Sequence, residues 1–129
     1  MRIVVDTNVI VSALMNANGT PARILSLILN GKIKILWDNR IIFEYIEVLS
    51  RKEFGFNPEV ISDLIEYVKH EGEFINADHL NINFIDETDK KFYEVFKSAE
   101  AHYLVTGNIK HFPKNETILN PKDFLAIYK

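Results

Sequence analysis

The sequence predicts an α/β fold, a three-layer α/β/α sandwich in which helices cover both faces of a mostly parallel sheet of about four to five strands. Two observations support this class. Short continuous apolar runs, typical of strands buried on both faces, alternate with segments of helical periodicity. This alternation favours parallel strands joined by crossover helices. The length of 129 residues suits one domain spanning 1–129.

The first half of the chain contains two predicted strands and three predicted helices. The strands are the apolar runs Arg2–Val5 and Ile33–Trp37. The helices are expected at 8–15, from Thr20-Pro21 to Gly31, and from Asp38 or Asn39 to about Arg51. Their ends carry ordinary signals: Thr, Asp or Asn as N-cap, Pro in the first turn, and Gly as terminator.

The second half repeats the alternation with shorter strands. Helices are expected from Asn57-Pro58 through Val68, from an N-cap at Thr88 to about Ala101, and from Asn120-Pro121 through Ile127. Apolar runs at 102–106 and 117–119 predict two strands, and a short edge strand is expected near 74–75. No internal repeat or linker divides the chain.

The composition excludes several classes of site and partner. Because there is no cysteine, disulfides and Cys-ligated zinc are excluded, which fits a reducing compartment. The opening MRIVVDTN lacks signal-peptide anatomy, and no apolar run approaches the roughly 20 residues of a membrane span, so we expect a cytoplasmic protein. The net charge of −3 argues against bulk capture of nucleic acid, although a divalent cation in an acidic pocket reverses the local sign.

Four side chains with oxygen donors lie where buried elements end or on apolar helix faces: Asp6, Glu44, Asp89 and Asn108. Asp6 and Asn108 follow predicted strands, and ligands of parallel sheets bind beyond the carboxyl ends of the strands. Acids that share a low-dielectric pocket repel one another, and a divalent cation removes that cost. The pattern therefore indicates a metal-dependent site.

Each position also has a simpler interpretation. Asp6 can cap the following helix, and Asn108 can be a turn residue. Glu44 lies at the edge of the apolar stripe of its helix, where boundary glutamates are common. Asp89 shares its stripe with aromatics at i+3, i+4 and i+7, and its charge also suits a first helical turn. A first-turn charge does not explain the inward direction of Asp89, which favours function already, and the convergence of all four positions on one crevice strengthens that interpretation.

Basic and aromatic side chains are open to two interpretations as well. Several cations are candidates for steering a phosphate backbone, but most are expected to be solvated surface charges: Arg40, Arg51, Lys52, Lys90, Lys91 and Lys110. The four histidines show no shared metal-ligand spacing, and His111 is a weak candidate near the site. Tyr45, Tyr93 and Phe96 are candidates for stacking a base, but their helical spacing indicates core residues first.

On these residues the chain resembles the PIN-domain family, and more narrowly the VapC-like members that are toxin components of toxin–antitoxin systems. The segments that carry the resemblance are VVDTNVIVSAL, IIFEYIEVLSRKEF, DETDKKFYEVF, AHYLVTGNIKHFP and ILNPKDFL. The resemblance implies a PIN-like sandwich whose acids bind Mg²⁺ or Mn²⁺ and cut RNA. By position, Asp6, Glu44 and Asp89 match the first three family acids. Asn108 replaces the fourth acid, in VTGD.

The same resemblance implies further roles and partners. Asn8 and Thr106 match polar residues that lie beside the metal ligands. The expected activity is hydrolysis of RNA phosphodiester bonds, with Asp6, Glu44 and Asp89 as metal ligands and Asn108 completing the catalytic set. A protein antitoxin and a homodimer are expected partners. Because Asn108 removes one negative charge, the choice between one and two metal ions stays open.

Three other functions compete with cleavage. Asn108 is compatible with a degenerate PIN domain that binds RNA or protein without cutting. An acidic pocket that binds Mg²⁺ also suits a phosphoacceptor module. A phosphatase with an aspartyl nucleophile would usually place a second acid two residues after the first, where Asn8 stands.

Overall fold

The computed structural model describes residues 1–128, and its sheet confirms the predicted fold class. The five strands are β1 (Arg2–Val5), β2 (Lys34–Trp37), β3 (Glu73–Phe74), β4 (Tyr103–Val105) and β5 (Ile118–Leu119). They lie in the order β3-β2-β1-β4-β5, and every neighbouring pair is parallel. Each strand lies within one residue of its predicted bounds.

The central strand β1 determines where the site forms. Ile3 lies opposite Ile35 of β2 and Tyr103 of β4, and Val5 lies opposite Val105. The side chains of β1 from Ile3 onwards are fully buried, as expected for a strand covered on both faces. The chain therefore leaves β1 from the middle of the carboxyl edge of the sheet.

In the described part of the chain, six helices surround the sheet: α1 (Thr7–Met15), α2 (Thr20–Leu29), α3 (Asn39–Leu49), α4 (Pro58–Glu71), α5 (Lys90–Ser98) and α6 (Pro121–Ile127). α2 packs against α1 and α6, and α3 packs against α4 and α5. Each helix presents an apolar face to one continuous core. None of the helices in residues 1–128 is both long and apolar enough to cross a bilayer.

Two predicted N-caps are wrong. Thr20 is the first residue of α2, and Gly19 takes the N-cap position. Thr88 lies inside a short 3₁₀ turn, Glu87–Asp89, because the carboxylate of Asp86 accepts hydrogen bonds from the Thr88 amide at 2.9 Å and hydroxyl at 2.7 Å. An Asx turn at this position competes with helix initiation, so α5 begins only at Lys90.

α5 also ends earlier than predicted. It stops at Ser98, short of the expected Ala101, because Glu100 has a φ of 50°. A left-handed residue terminates an α-helix and here turns the chain into β4. At its other end, the start of α5 at Lys90 leaves Asp89 at the N-cap position.

A polar network joins α3, α5 and the irregular segment 75–86. The Arg40 guanidinium lies 2.6 Å from Oε1 of Glu94 and 2.8 Å from Oδ2 of Asp38. The other Glu94 oxygen accepts a hydrogen bond from the Leu80 amide at 2.8 Å. The Glu94 side chain is only 2% exposed, so this carboxylate depends on its partners for solvation. Arg40 is therefore bound to acids rather than free to contact a phosphate backbone.

Candidate metal centre

Asp6 lies at the end of β1, where the carboxyl edge of the sheet meets the start of α1. Its amide donates to the Val105 carbonyl at 2.9 Å, which continues the pairing of β1 with β4 by one residue. Asp6 is only 4% exposed, and Thr106, the residue that follows β4, is completely buried. The two side chains are therefore neighbours below the protein surface.

The contacts of Asp6 argue against a simple capping role. Asp6 occupies the N-cap position of α1, yet its side chain makes no capping hydrogen bond. Instead, Oδ2 accepts a hydrogen bond from Thr106 Oγ1 at 2.8 Å and a longer one from Asn8 Nδ2 at 3.5 Å. A buried carboxylate that is not used for capping is available to a ligand.

Glu44 reaches the same edge from α3. One of its oxygens, Oε2, accepts a hydrogen bond from the Thr7 hydroxyl, and the other lies 2.5 Å from the Lys91 ammonium. The Glu44 side chain is 23% exposed, whereas Glu47 on the solvent face is 62% exposed and pairs with Arg51. Of the two acids, Glu44 is the one that enters the crevice, as helical geometry predicted.

Asp89 approaches from the N-terminus of α5. Its Oδ2 lies 3.0 Å from Nδ1 of His111, and its side chain is 14% exposed. Phe92 and Phe96 on the same stripe are buried, and Tyr93 is half-buried. The predicted inward orientation of Asp89 is therefore correct. The hydrogen bond from His111 fixes the orientation of its carboxylate.

The carboxylates of Asp6, Glu44 and Asp89 lie close enough to repel one another, although they are far apart along the chain. Burial raises the pKa of Asp6 to about 6, the hydrogen bond from Thr106 opposes this rise, and the charges of Asp89 and Glu44 add to it. Burial also raises the pKa of Asp89; the hydrogen bond from His111 opposes the shift, and nearby acids including Glu44 add to it. These carboxylates therefore share one electrostatic environment, as the sequence predicted.

Asn108 contributes differently. It is exposed at the start of a 3₁₀ turn, Ile109–His111, and its backbone amide donates to Thr106 Oγ1 at 2.9 Å. The amide oxygen of Asn8 accepts a hydrogen bond from the Gly107 backbone at 3.1 Å. Thr106 thus links the segment 107–108, which follows β4, to Asp6, and Asn8 links the same segment to α1. Whether the Asn108 side chain takes part in catalysis stays a prediction.

The donor set fits a hard divalent cation bound by few protein ligands. Within residues 1–128, no three acidic or histidine side chains are already arranged as a metal-binding group. Mg²⁺ usually keeps several waters and takes only one or two carboxylates. Asp6 and Asp89 offer two carboxylates whose repulsion a cation would relieve. The assignment of Glu44 as a direct ligand stays a prediction, because both of its oxygens have partners.

Sequence reasoning considered three neighbours of these acids but did not predict their contacts. Thr7 and Lys91 both contact Glu44, and His111, treated only as a weak candidate, contacts Asp89. The sequence held a partial signal for Thr7 and Lys91, since they lie one residue after Asp6 and two after Asp89. Their partners are far away along the chain, so the contacts depend on how the helices pack. Tyr45 is buried as expected, and its hydroxyl donates to the Val5 carbonyl.

Comparison with known proteins agrees with this arrangement. A family model described as the PIN domain matches residues 2–110, a range that contains all four candidate positions. An uncharacterised protein of Methanocaldococcus jannaschii, MJ1680, is 34% identical over 113 residues, which cover 84% of this chain and 71% of that protein. PIN domains are generally nucleases. From the extent of these matches and the parallel sheet with acids at its carboxyl edge, we conclude that the chain belongs to the PIN-domain family.

Proposed function

We propose that this protein is a Mg²⁺- or Mn²⁺-dependent endoribonuclease that hydrolyses RNA phosphodiester bonds. The observation that carries the proposal is the convergence of three acids, one that follows β1, one on α3 and one at the N-cap of α5. Asp6 is almost completely buried, and the charges of Glu44 and Asp89 raise its pKa further. Carboxylates that only support the fold gain nothing from such mutual repulsion, whereas a bound divalent cation offsets it.

Two acids of the site would bind the cation, and two neighbouring side chains orient those acids. Asp6 and Asp89 would hold the cation, which when bound supplies positive charge to the scissile phosphate and lowers the pKa of a coordinated water. Thr106 orients Asp6 through a 2.8 Å hydrogen bond, and His111 orients Asp89 at 3.0 Å. Such partners fix the direction of ligand oxygens and commonly affect metal affinity as well.

The biological role follows from the resemblance to VapC-like proteins. We propose that the protein is the toxin of a toxin–antitoxin pair, acts on cytoplasmic RNA, and is blocked by a protein antitoxin. A homodimer is part of the same proposal. The side chain of Phe43 on α3 is 69% exposed and gives this helix an apolar contact that a second copy would cover.

The test compares cleavage of a labelled RNA mixture by the wild type and by Asp6→Asn in Mn²⁺ and in EDTA. Asp63→Asn, an exposed aspartate on α4, is the matched control. We expect cleavage only with Mn²⁺, at the same rate in the control as in the wild type. In Asp6→Asn the rate should fall at least about a hundredfold, since loss of even a hydrogen-bond partner of a metal ligand lowers metal affinity or activity by about 10–100-fold.

Two outcomes would contradict the proposal. Equal cleavage by the wild type and Asp6→Asn would mean that the activity comes from another site or a contaminant. No cleavage by any of the three proteins, accompanied by RNA binding in a filter assay, would favour the degenerate binding module. A parallel reaction with labelled DNA of the same sequence tests the choice of RNA as substrate.

A further inference from the structure

Lys91 is a largely buried cation that contacts one of the three acids, Glu44. Its ammonium lies 2.5 Å from Glu44 Oε1 and also donates to the Thr88 carbonyl. Its side chain is only 14% exposed, so it differs from the solvated lysines that the sequence led us to expect. The contact with Glu44 is not an exposed surface pair of little energetic value, because both side chains are largely withdrawn from water.

The four side chains Asp6, Glu44, Asp89 and Lys91 balance one divalent cation rather than two. The three acids carry three negative charges and Lys91, in contact with Glu44, returns one positive charge, which leaves two among these four to be neutralised. Asp86 also acts on Asp89, but it is exposed and its charge is screened by solvent. Asn108 adds no charge to this set. A second divalent cation would have to bind within about 4 Å of the first, in a two-metal clamp, against an excess of positive charge.

The oxygens of Glu44 are also unavailable to a second metal ion. Oε2 accepts the Thr7 hydroxyl and Oε1 accepts the Lys91 ammonium. A metal ion that used Glu44 as a ligand would have to displace one of these partners. The ammonium itself has three N–H donors, of which Glu44 and Thr88 take two. One donor remains for an oxygen of a bound phosphate.

We propose, on the basis of the nuclease function inferred above, that the Lys91 ammonium takes the place of a second metal ion. The centre then binds one divalent cation on Asp6 and Asp89. Lys91, held by Glu44, places a fixed positive charge where the phosphodiester accumulates negative charge during hydrolysis. Lys91 transfers no proton in this role, so its contribution is electrostatic and needs no co-reactant. Glu44 is accordingly a positioning residue for Lys91.

A purely structural role for Lys91 leads to a different expectation. The Lys91–Glu44 contact also links α5 to α3, and replacement of Lys91 would then lower stability without improving metal binding. If Lys91 occupies the second cation position, its removal instead relieves repulsion of the bound metal and frees a Glu44 oxygen. Metal affinity should then rise while the cleavage rate falls. These two changes in opposite directions distinguish the roles.

The experiment titrates metal-free protein with Mn²⁺ in a calorimeter, without RNA. The variants are Lys91→Met, which removes the charge, Lys91→Arg, which keeps it, and Lys97→Met as an exposed control on the same helix. We expect one Mn²⁺ per wild-type chain and about tenfold tighter Mn²⁺ binding by Lys91→Met, because removal of a like charge at a few ångströms relieves repulsion of this order. Cleavage by Lys91→Met at saturating Mn²⁺ should fall about a hundredfold.

The controls keep the outcomes separable. Lys91→Arg should bind Mn²⁺ like the wild type and retain part of the cleavage rate, and Lys97→Met should match the wild type in both assays. Two Mn²⁺ per wild-type chain, or unchanged Mn²⁺ affinity in Lys91→Met, would overturn the role of Lys91 and leave the nuclease proposal intact. If Lys91→Met does not fold, the number of Mn²⁺ ions bound per wild-type chain and the Mn²⁺ affinity of Lys91→Arg test the role of Lys91 instead. No Mn²⁺ binding by the wild type would overturn both proposals.

Discussion

Replacement of Asp6 by Asn should stabilise the metal-free protein at neutral pH, because Asp6 pays an electrostatic penalty that an amide does not. The unfolded chain releases the Asp6 proton near the ordinary pKa of 3.8, and the folded protein releases it near 6. Between these values the folded state binds more protons than the unfolded state. The free energy of unfolding therefore falls as the pH rises through this window.

The size of the effect follows from the two values. The difference between 3.8 and about 6 corresponds to about 3 kcal/mol of lost stability once the pH is above the folded pKa. Asp6→Asn should recover up to that amount at neutral pH, about half of it near pH 5, and almost none near pH 3, where the carboxyl of the wild type is protonated in both states. The gain at neutral pH corresponds to an increase in Tm of roughly 10 °C for a domain of this size.

The assay is urea or thermal denaturation in EDTA at several pH values, with Asp63→Asn as the exposed control. Mn²⁺ should stabilise the wild type and reduce or reverse the advantage of Asp6→Asn, since the variant lacks a metal ligand. An increase in the stability of Asp6→Asn that does not depend on pH would mean that the amide stabilises the site by packing rather than by removing a charge. No gain at neutral pH would refute the claim that Asp6 is destabilised by burial and by Glu44 and Asp89.

Two further predictions concern the partners of buried acids. His111→Asn should weaken Mn²⁺ binding about tenfold in a calorimetric titration, because it removes the hydrogen bond that orients Asp89 and opposes the rise of its pKa. His70→Asn, at an exposed histidine, is the control. Equal Mn²⁺ affinities of His111→Asn and the wild type would contradict the orienting role of His111. Arg40→Met should cost about 2 kcal/mol in urea denaturation, since the buried Glu94 loses its Arg40 partner and keeps only the Leu80 amide and the exposed His79. The cost is below that of a fully buried pair because the Arg40 side chain is 47% exposed. Arg51→Met, which breaks an exposed pair, should change little, and a similar loss in both variants would refute the role of burial.

The fold was largely predictable because it rests on local patterns. A continuous apolar run such as Arg2–Val5 has few alternatives to a central strand, and the observed strand has these bounds. Asn-Pro pairs placed the starts of α4 and α6 correctly, since Asn57 and Asn120 cap these helices and Pro follows in the first turn. The error at Thr88 arose because Asp86, two residues earlier, accepts hydrogen bonds from the amide and the hydroxyl of Thr88 and so draws Thr88 into its own turn. Propensity alone does not predict which of two such neighbouring residues caps.

The candidate site was predictable only in part. The sequence indicated that Asp6, Glu44 and Asp89 leave buried elements towards one edge, because strand ends and helix faces have a known direction. It did not indicate which of the nearby cations would enter the crevice. Lys91 and Lys97 are both lysines of α5, yet one lies against Glu44 and the other is exposed.

The sequence by itself determined the alternation of strands and helices, the position of β1 within the sheet, and the acids that follow its buried elements, since periodicity and burial act over short stretches of chain. Only the tertiary structure decided that Thr7 and Lys91 contact Glu44 and that His111 contacts Asp89. These contacts join α1, α3, α5 and the loop after β4. They depend on the relative placement of whole elements, which is set by core packing and leaves no signature at the contacting residues themselves.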